Sequence, residues 1–231
     1  MENERVAKNP LSVNHGITPK NTGAKVNPTL YMAIIGSLIY LTASRLDIMF
    51  ATCLCARYQA QPNVNHMLAA KKIMQYLKGT PSLGLWYPRK DGFELTAYSD
   101  SNYGGCKIDF KSTSGGCQFL GSRLVSWQCK KQTAVAQSTC EAEYIAAASC
   151  TSEVVWIQQQ LRDYDQTHRD QVPFHRDCYE KRLIDVLQIG TKTQRADLFT
   201  KAFDRPRLLF LLNVLGVREG AEVVSEKELL E

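Results

Sequence analysis

Hydrophobic positions recur with two different periods along the chain, and the period changes about a third of the way along. Over residues 28–80 the apolar residues recur every three or four positions, which is typical of amphipathic helices. One stripe contains Tyr31, Ile35 and Leu38. Further along, apolar and polar residues alternate, which indicates strands. The pattern therefore predicts a helical region over residues 28–80 and a sheet-containing domain over residues 83–217.

Glycine-containing turns divide the alternating region and predict two hairpins. Asp91-Gly92 separates the apolar segments 85–87 and 93–97, and Gly121-Ser122-Arg123 separates 117–120 from 124–127. Periodicity then predicts a long helix over 139–162, a strand over 182–189, and helices over 195–203 and 205–215. Helices, strands, helix, strand and helix in this order predict an α/β (α+β) fold.

Both ends of the chain are polar. Residues 1–27 contain prolines and glycines without an apolar period, so we expect a disordered lead-in. Residues 218–231 predict a charged tail. The apolar runs near 31–41 and 208–215 are too short to cross a bilayer, so no membrane partner is expected. No signal peptide is visible, which predicts an intracellular protein, cytoplasmic or nuclear and not secreted.

Composition narrows the chemistry further. The chain has eight scattered cysteines, no Cys-x-x-Cys pair and four histidines, which argues against zinc and favours reduced thiols. The formal charge of +5 fits a polyanionic partner without requiring one. Nothing indicates a small-molecule cofactor, and the sequence fixes no oligomeric state. Lysines that could contact nucleic acid, or could simply be solvated, are Lys71, Lys72, Lys107, Lys111, Lys130 and Lys131.

Two carboxylates stand out in the alternating region and the long helix. Asp100 falls where a predicted strand meets a glycine-rich turn, a position that can present a carboxylate to a ligand or can simply start the turn. Ser138 and Glu141 form a capping-box pattern, which gives Glu141 a local role. Glu143 shares a stripe with Ala147 and later apolar residues, which predicts that it points toward the sheet. Such a carboxylate requires a metal ion or a basic neighbour.

A third acidic residue, Asp197, lies in the segment Arg195-Ala196-Asp197-Leu198-Phe199-Thr200-Lys201. An aspartate in a first helical turn is commonly an electrostatic cap. By position alone, Asp197 is therefore a weaker candidate for catalysis than for capping.

Residues 28–217 resemble the C-terminal part of the Pol polyprotein of plant copia-type LTR retrotransposons. Segments resembling the link between reverse transcriptase and RNase H are Tyr31 with Ile35-Gly36-Ser37-Leu38-Ile39-Tyr40-Leu41, Arg45-Leu46-Asp47-Ile48, and Ala69 with Ile73 and Tyr76-Leu77-Lys78-Gly79-Thr80. Segments resembling RNase H itself are Tyr98-Ser99-Asp100, Ser112-Thr113-Ser114-Gly115, Phe119-Leu120-Gly121, Ser126-Trp127, Lys130-Lys131-Gln132, Glu141-Ala142-Glu143-Tyr144 and Ala196-Asp197-Leu198-Phe199-Thr200-Lys201.

The resemblance implies an RNase H-like mixed sheet with flanking helices, behind a helical connection remnant. It implies hydrolysis of the RNA strand of RNA–DNA hybrids with Mg²⁺ held by carboxylates. The implied catalytic and metal-binding residues are Asp100, Glu143 and Asp197. The implied contacts to hybrid or other nucleic acid come from Lys111, Ser112, Lys130 and Lys131.

The departures from the family are as informative as the match. The family places an Asp-Asn pair on a strand after the long helix, but here the chain passes directly to Phe174-His175-Arg176-Asp177. A strand and helix are thus expected to be deleted near 163–176, and the third acidic ligand with them. Asn102 and Leu46 also differ from the residues common in the family.

The departures predict an impaired ribonuclease from a decayed element or a mis-predicted gene. Two alternatives stay open. One is a catalytically inactive relic that at most binds nucleic acid. The other is a different RNase H-like enzyme such as an integrase, which the serine-rich and Ala196–Lys201 segments disfavour.

Overall fold

The computed structural model describes residues 6–18, 24–89, 92–164 and 187–220. Within them the chain forms an α/β fold in which helices pack on an antiparallel sheet, consistent with the RNase H-like arrangement expected from the sequence. The helices are α1 (Pro28–Leu41), α2 (Met49–Ala56), α3 (Val64–Lys78), α4 (Thr139–Tyr164) and α5 (Arg205–Val214). The strands are β1 (Leu83–Leu85), β2 (Leu95–Asn102), β3 (Thr113–Leu120), β4 (Arg123–Lys131) and β5 (Val217–Glu219).

The first three helices form the predicted helical region around their own apolar core. Helix α1 begins at a favourable cap, since Asn27 Oδ1 accepts the backbone N–H groups of Thr29 at 2.9 Å and of Leu30 at 3.3 Å. Its buried stripe contains Tyr31, Ile35 and Leu38, as the periodicity predicted. These side chains pack against the buried apolar residues of α2 and α3.

Helix α3 begins with a capping box that uses a histidine. Asn63 Oδ1 accepts the His66 N–H at 3.1 Å, and His66 Nδ1 accepts the Asn63 N–H at 3.1 Å. The His66 ring stacks on Tyr58, and its Nε2 lies 3.2 Å from Thr18 O. Because Nδ1 accepts, Nε2 carries the hydrogen and donates to Thr18, so the cap requires neutral His66.

Residues 6–18 and 24–27 depart from the disordered lead-in predicted for residues 1–27. Leu11 and Ile17 are buried in the core of the helical region. The backbone N–H of Val26 donates to Pro62 O at 3.3 Å. The prediction relied on the low average hydrophobicity of this segment and missed its two buried apolar residues. Burying their side chains stabilises an ordered conformation of the segment.

The main sheet has the order β2-β3-β4, with antiparallel pairing throughout. The hairpin between β3 and β4 is confirmed, and Gly121 supplies a φ of +60° at its turn. Alternation along β3 separates the two faces. Gln118 faces α4, where its Nε2 lies 3.4 Å from Cys150 Sγ, whereas Cys117 and Phe119 enter the core on the opposite side.

The predicted hairpin through Asp91-Gly92 is wrong, because β1 does not pair with the next strand, β2. Strand β1 pairs with the C-terminal strand β5, with Leu85 opposite Val217. Gly216 reverses the chain after α5 with a φ of +79°, and its carbonyl accepts the Trp86 N–H at 2.8 Å. The turn residues Asp91-Gly92 led to a prediction that neighbouring strands pair. The observed pairing joins residues far apart in the sequence, and no local pattern of residues indicates it.

Two other predicted elements differ from the structure. Of the strand predicted over 182–189, residues 187–189 carry no strand, and the remainder lies outside the described residues. The helix predicted over 195–203 is a short 3₁₀ helix, Ala196–Phe199. The helix predicted over 205–215 is confirmed as α5, which Asp204 caps by accepting the Arg207 N–H at 3.1 Å.

A second core joins the sheet, the 3₁₀ helix 196–199 and α5, and one of its buried residues comes from the helical region. That residue is Leu46, which is only 2% exposed. Trp127 strengthens the same junction, since its Nε1 donates to Thr42 O at 3.0 Å. In the described ranges no helix is long and apolar enough to cross a membrane.

Truncating Leu46 tests this junction. We expect Leu46→Ala to lower the free energy of unfolding by about 2–4 kcal/mol, since it opens a cavity in a core. Leu30→Ala is the matched control, because Leu30 is 54% exposed and its loss should cost under about 0.5 kcal/mol. Urea denaturation measures both values, and equal costs would contradict the proposed role of Leu46.

The histidine cap predicts a pH dependence. Burial lowers the pKa of His66 below its ordinary 6.5, with the hydrogen bond to Thr18 opposing. The unfolded chain then binds the proton more readily, so this contribution to stability is complete above pH 6.5 and is lost as the pH falls below it. His66→Gln keeps a capping side chain without a titrating group. We expect a flatter decline of the unfolding free energy between pH 7.5 and 5 in this variant; an unchanged slope would contradict the role of His66.

Candidate active site

Asp100 lies on β2, two residues before the strand ends and directly opposite Gly115 of β3. The side chain is half-buried. Its Oδ2 is 2.5 Å from the hydroxyl of Thr200, which is fully buried. The predicted turn role of Asp100 does not describe this position, because the strand continues through Asn102.

Gly115 provides the space in which the 3₁₀ helix 196–199 reaches the sheet. A Cβ at this position would lie 2.7 Å from Thr200 Cγ2, 2.8 Å from Ala196 O and 2.9 Å from Phe199 Cβ. Two of these three neighbours are a backbone oxygen and a Cβ, which cannot swing away. The absence of a side chain therefore allows the close approach that brings Thr200 beside Asp100.

Asp197 is brought to the same part of the fold by the 3₁₀ helix and is 1% exposed. Its Oδ1 pairs with Lys201 Nζ at 2.6 Å, and its Oδ2 with Arg207 Nη2 at 3.4 Å. The Arg207 guanidinium also donates to the carbonyls of Thr191 and Lys192. Asp197 thus joins the 3₁₀ helix, α5 and the segment before them.

Glu143 does not lie on the buried stripe predicted for it. In the first turns of α4 the buried residues are Ala142 and Ala146, whose small size permits close packing, and Glu143 is exposed. One residue corresponds to a rotation of about 100°, which moves Glu143 to the edge of the packed face. From there its Oε1 accepts the backbone N–H of Ser101 at 3.3 Å. Ser101 follows Asp100 on β2, so Glu143 contacts β2 one residue away from Asp100.

The capping role predicted for Glu141 is confirmed. The backbone N–H of Glu141 donates to Ser138 Oγ at 3.1 Å, and Glu141 Oε2 accepts the Gln137 N–H at 2.6 Å. Glu141 and Glu143 thus have separate tasks, one at the helix start and one beside β2.

The electrostatics of Asp100 show that the other two candidate carboxylates act on it. Burial raises the pKa of Asp100 from its ordinary 3.8 to about 6. The negative charges of Asp197 and Glu143 contribute to this rise, whereas the Thr200 hydrogen bond and the Lys201 ammonium oppose it. Asp100 therefore sits in a region where negative charge is incompletely balanced and an additional cation would be favourable.

The donors match a hard divalent cation in kind but not in arrangement. Mg²⁺ prefers carboxylate and other oxygen ligands. Among the described residues, however, no three His, Cys, Asp or Glu side chains form a group that could hold a metal ion. Asp197 already has two basic partners, and Glu143 has a backbone partner. As they lie, these side chains do not form a complete metal site.

The residues predicted to contact nucleic acid lie at the same end of the sheet as Asp100. The pairing places Asn102, Thr113 and Lys131 in a row across the three strands. Lys130 is exposed and Lys111 half-exposed, while Lys131 pairs with Asp109 at 2.8 Å.

Ser112 differs from these lysines in its environment. Its side chain is buried, and its Oγ accepts the Gly104 N–H at 3.2 Å, which supports the turn after β2. A nucleic-acid contact from Ser112 stays a prediction.

Two contributors to the site, Gly115 and Thr200, have no chemistry that marks them in the sequence. Both belong to segments singled out for their resemblance to the family, but neither was assigned a role. A glycine pair inside a strand is the one available signal, because it points to a close backbone approach. The contact between Thr200 and Asp100 joins positions one hundred residues apart and has no local pattern.

Side chains satisfy two backbone groups of β2 that a neighbouring strand could otherwise use. Gln194 Nε2 donates to Ser99 O at 2.9 Å, and Glu143 accepts from Ser101 as described. In the described part of the chain, β3 is the strand that pairs with β2. The strand and helix expected to be deleted near 163–176 cannot be placed, since residues 165–186 lie outside the described residues.

Comparison with known proteins identifies relatives among transposon proteins. The chain is 40% identical over 137 residues to the retrovirus-related Pol polyprotein from transposon RE1 of Arabidopsis thaliana, which covers 59% of this chain and 9% of that protein. It is 28% identical over 219 residues to the corresponding protein from transposon TNT 1-94 of Nicotiana tabacum, covering 82% of this chain and 16% of the relative. The chain thus spans about a tenth of the RE1 polyprotein.

A third relative has a different name. The secreted RxLR effector protein 161 of Plasmopara viticola is 34% identical over 133 residues, covering 57% of this chain and 94% of that protein. No family model matches the chain, and no solved structure matches it.

The alignment with the TNT 1-94 protein is longer than the part of this chain that it covers. It extends over 219 positions, yet it covers only 82% of this 231-residue chain. The relative therefore has residues inside the aligned region that this chain lacks.

Substituting Gly115 tests the close approach at the site. We expect Gly115→Ala to cost about 1–3 kcal/mol of unfolding free energy, because the added methyl group overpacks against the backbone of the 3₁₀ helix. Gly84→Ala is the control: Gly84 also lies in a strand, but an added Cβ there meets nothing within 4 Å. Chemical denaturation measures both, and a Gly115→Ala protein as stable as the control would show that the contact is loose.

Proposed function

Because the chain belongs to the family of retrovirus-related Pol polyproteins from copia-type plant transposons, we propose that it is the RNase H-like region of such a polyprotein. The ancestral activity is metal-dependent hydrolysis of the RNA strand of RNA–DNA hybrids. In this chain we propose that the activity is impaired. The observation that carries the proposal is the meeting, around Asp100, of carboxylates from β2, α4 and the 3₁₀ helix.

The shared electrostatic environment supports a common site. Asp197 and Glu143 both raise the pKa of Asp100, so Asp100 lies within reach of both charges although the three residues come from distant parts of the sequence. A carboxylate with a perturbed pKa beside other acidic groups is more frequent at functional sites than elsewhere. A divalent ion bound there would activate water and stabilise the leaving oxygen.

The roles of this chain's own residues follow from their contacts. The Thr200 hydroxyl fixes one oxygen of Asp100, and Gly115 keeps the 3₁₀ helix close enough for that contact. Lys111 and Lys130 lie at the same end of the sheet and would bind backbone phosphates of the nucleic acid. Phosphate contacts of this kind position a substrate without reading its sequence.

The impairment follows from the state of the carboxylates. Asp197 is neutralised by Lys201 and Arg207, and a metal ion would have to displace at least one of these partners. By the resemblance to the family, the acidic ligand expected after the long helix has no counterpart in the motifs of this chain. Losing one ligand weakens metal binding and lowers the rate steeply.

A catalytically inactive relic that binds nucleic acid is the second candidate. The exposed Lys130 and half-exposed Lys111 favour it, because phosphate binding does not require metal ligands. Binding of this kind should weaken steeply as the salt concentration rises.

An intracellular location follows from the proposed substrate, since hybrids form during reverse transcription. One relative is named as a secreted effector protein, so similarity of sequence does not fix the location. The intracellular location proposed here rests on the proposed substrate alone.

A cleavage assay combined with metal titration tests the proposed function. We expect cleavage of a labelled RNA–DNA hybrid close to background in Mg²⁺, together with a rise of the thermal midpoint on adding Mg²⁺. Asp100→Asn should remove the Mg²⁺ effect. Without metal it should raise the midpoint by about 2–4 °C, because the charged form of Asp100 is disfavoured in the folded state and its removal contributes about 1 kcal/mol.

Asp163→Asn is the matched control, because Asp163 is exposed on α4 and should not alter either measurement. Strong cleavage that Asp100→Asn abolishes would confirm the RNase H assignment and contradict the impairment. No cleavage and no Mg²⁺ effect in the unaltered chain would reject the metal site. Salt-dependent binding to the hybrid would then favour the inactive relic.

A further inference from the structure

Two cysteines from distant parts of the chain meet where the helical region joins the sheet. Cys53 lies on α2 and Cys129 on β4, separated by 76 positions in the chain. Cys53 Sγ is 3.5 Å from the backbone oxygen of Cys129, and each thiol shifts the pKa of the other. Both belong to the second core, Cys129 as a buried member and Cys53 as a half-buried side chain at its edge.

The two thiols differ in reactivity. The hydrogen bond from Cys129 lowers the pKa of Cys53; burial opposes this effect and the Arg57 guanidinium reinforces it. The same hydrogen bond, together with burial, raises the pKa of Cys129. Arg57 is held in place because its Nη2 donates to Thr113 Oγ1 at 2.8 Å. Cys53 therefore has more thiolate character and better access to solvent, the two properties that control attack on a disulfide.

We propose that Cys53 and Cys129 form an oxidisable dithiol, which a low-molecular-weight disulfide such as oxidised glutathione converts into an internal disulfide between α2 and β4. The site is independent of the carboxylates and of the proposed function. Its effect is to connect the helical region to the sheet covalently.

The reaction is a pair of thiol–disulfide exchanges. The Cys53 thiolate attacks one sulfur of oxidised glutathione, forming a mixed disulfide and releasing one glutathione thiolate, which takes up a proton. Cys129 then loses its proton, and its sulfur attacks Cys53 Sγ, releasing the second glutathione. Two protein thiols are oxidised and one glutathione disulfide is reduced to two thiols, so atoms and electrons balance.

Other thiols in the described residues provide internal comparisons. Cys117 of β3 and Cys150 of α4 are both buried, and burial raises the pKa of both. Cys140 is exposed near the start of α4. A reagent that acts by access alone would modify Cys140 first and would not link Cys53 to Cys129.

The test incubates the native full chain with oxidised glutathione and maps its peptides without reduction. We expect a linked pair of peptides containing Cys53 and Cys129, and Cys140 modified only by glutathione. Because the link closes a long loop, the thermal midpoint should rise by about 5–10 °C and return on reduction. A link between Cys117 and Cys150 instead, or a stable glutathione adduct on Cys53 without a link, would overturn the proposal.

Two variants separate the steps. Cys129→Ser should trap the glutathione adduct on Cys53, whereas Cys53→Ser should leave Cys129 unmodified. Cys140→Ser is the control and should keep both the link and the rise in midpoint. If Cys53→Ser does not fold, the trapped adduct in Cys129→Ser still decides the order of attack, and no adduct there would contradict it.

Discussion

The close approach of the 3₁₀ helix 196–199 to the backbone of Gly115 is the constraint on which the candidate site depends. It closes the sheet against the C-terminal part of the chain and places two polar residues, Asp197 and Thr200, next to β2. A side chain at Gly115 would occupy the space of Ala196 O and Phe199 Cβ. The hydrogen bond between Thr200 and Asp100 exists because this space is left empty. Backbone packing thus determines where the acidic residues lie. Neighbouring side chains then have to balance their charges at those positions.

Charge balance then determines what the site can do. Asp197 is deeply buried, and a buried carboxylate without partners would be very costly. Lys201 and Arg207 remove that cost, and Arg207 also ties down the carbonyls of residues 191 and 192. Within the described residues Asp100 has no such ion pair and accepts a hydrogen bond from a neutral hydroxyl instead, so its charged form is disfavoured. One carboxylate in the site is therefore structural in its present contacts, while another retains the unsatisfied negative potential that would favour a cation.

How much of this the sequence predicts depends on the distance over which each feature is encoded. The stripe of Tyr31, Ile35 and Leu38, the turn at Gly121 and the long helix were all predicted, because each is encoded within a few residues. The partner of β1 and the contact between Thr200 and Asp100 were not, because each joins distant segments. Glu143 is an intermediate case: the helix was right, but the face was wrong by one residue. Small residues at Ala142 and Ala146 set the packed face, and a period of three to four could not separate them from their neighbours.

The same contacts explain how such a chain would keep its fold if the proposed catalytic activity were lost. Selection for hydrolysis acts on the arrangement of carboxylates around an ion, whereas folding requires only that each buried charge and backbone group has a partner. Here Asp197 is paired with Lys201 and Arg207, and Glu143 accepts from the backbone of β2. Both residues therefore retain a structural reason to stay acidic even without a metal ion. The loss of a further ligand beyond α4 would remove the proposed chemistry without removing a buried residue of either core, since these lie in the N-terminal segment, the helical region, the sheet, the 3₁₀ helix 196–199 and residues 208–215. The acidic residues of this chain are therefore accounted for by their present contacts whether or not a metal ion binds.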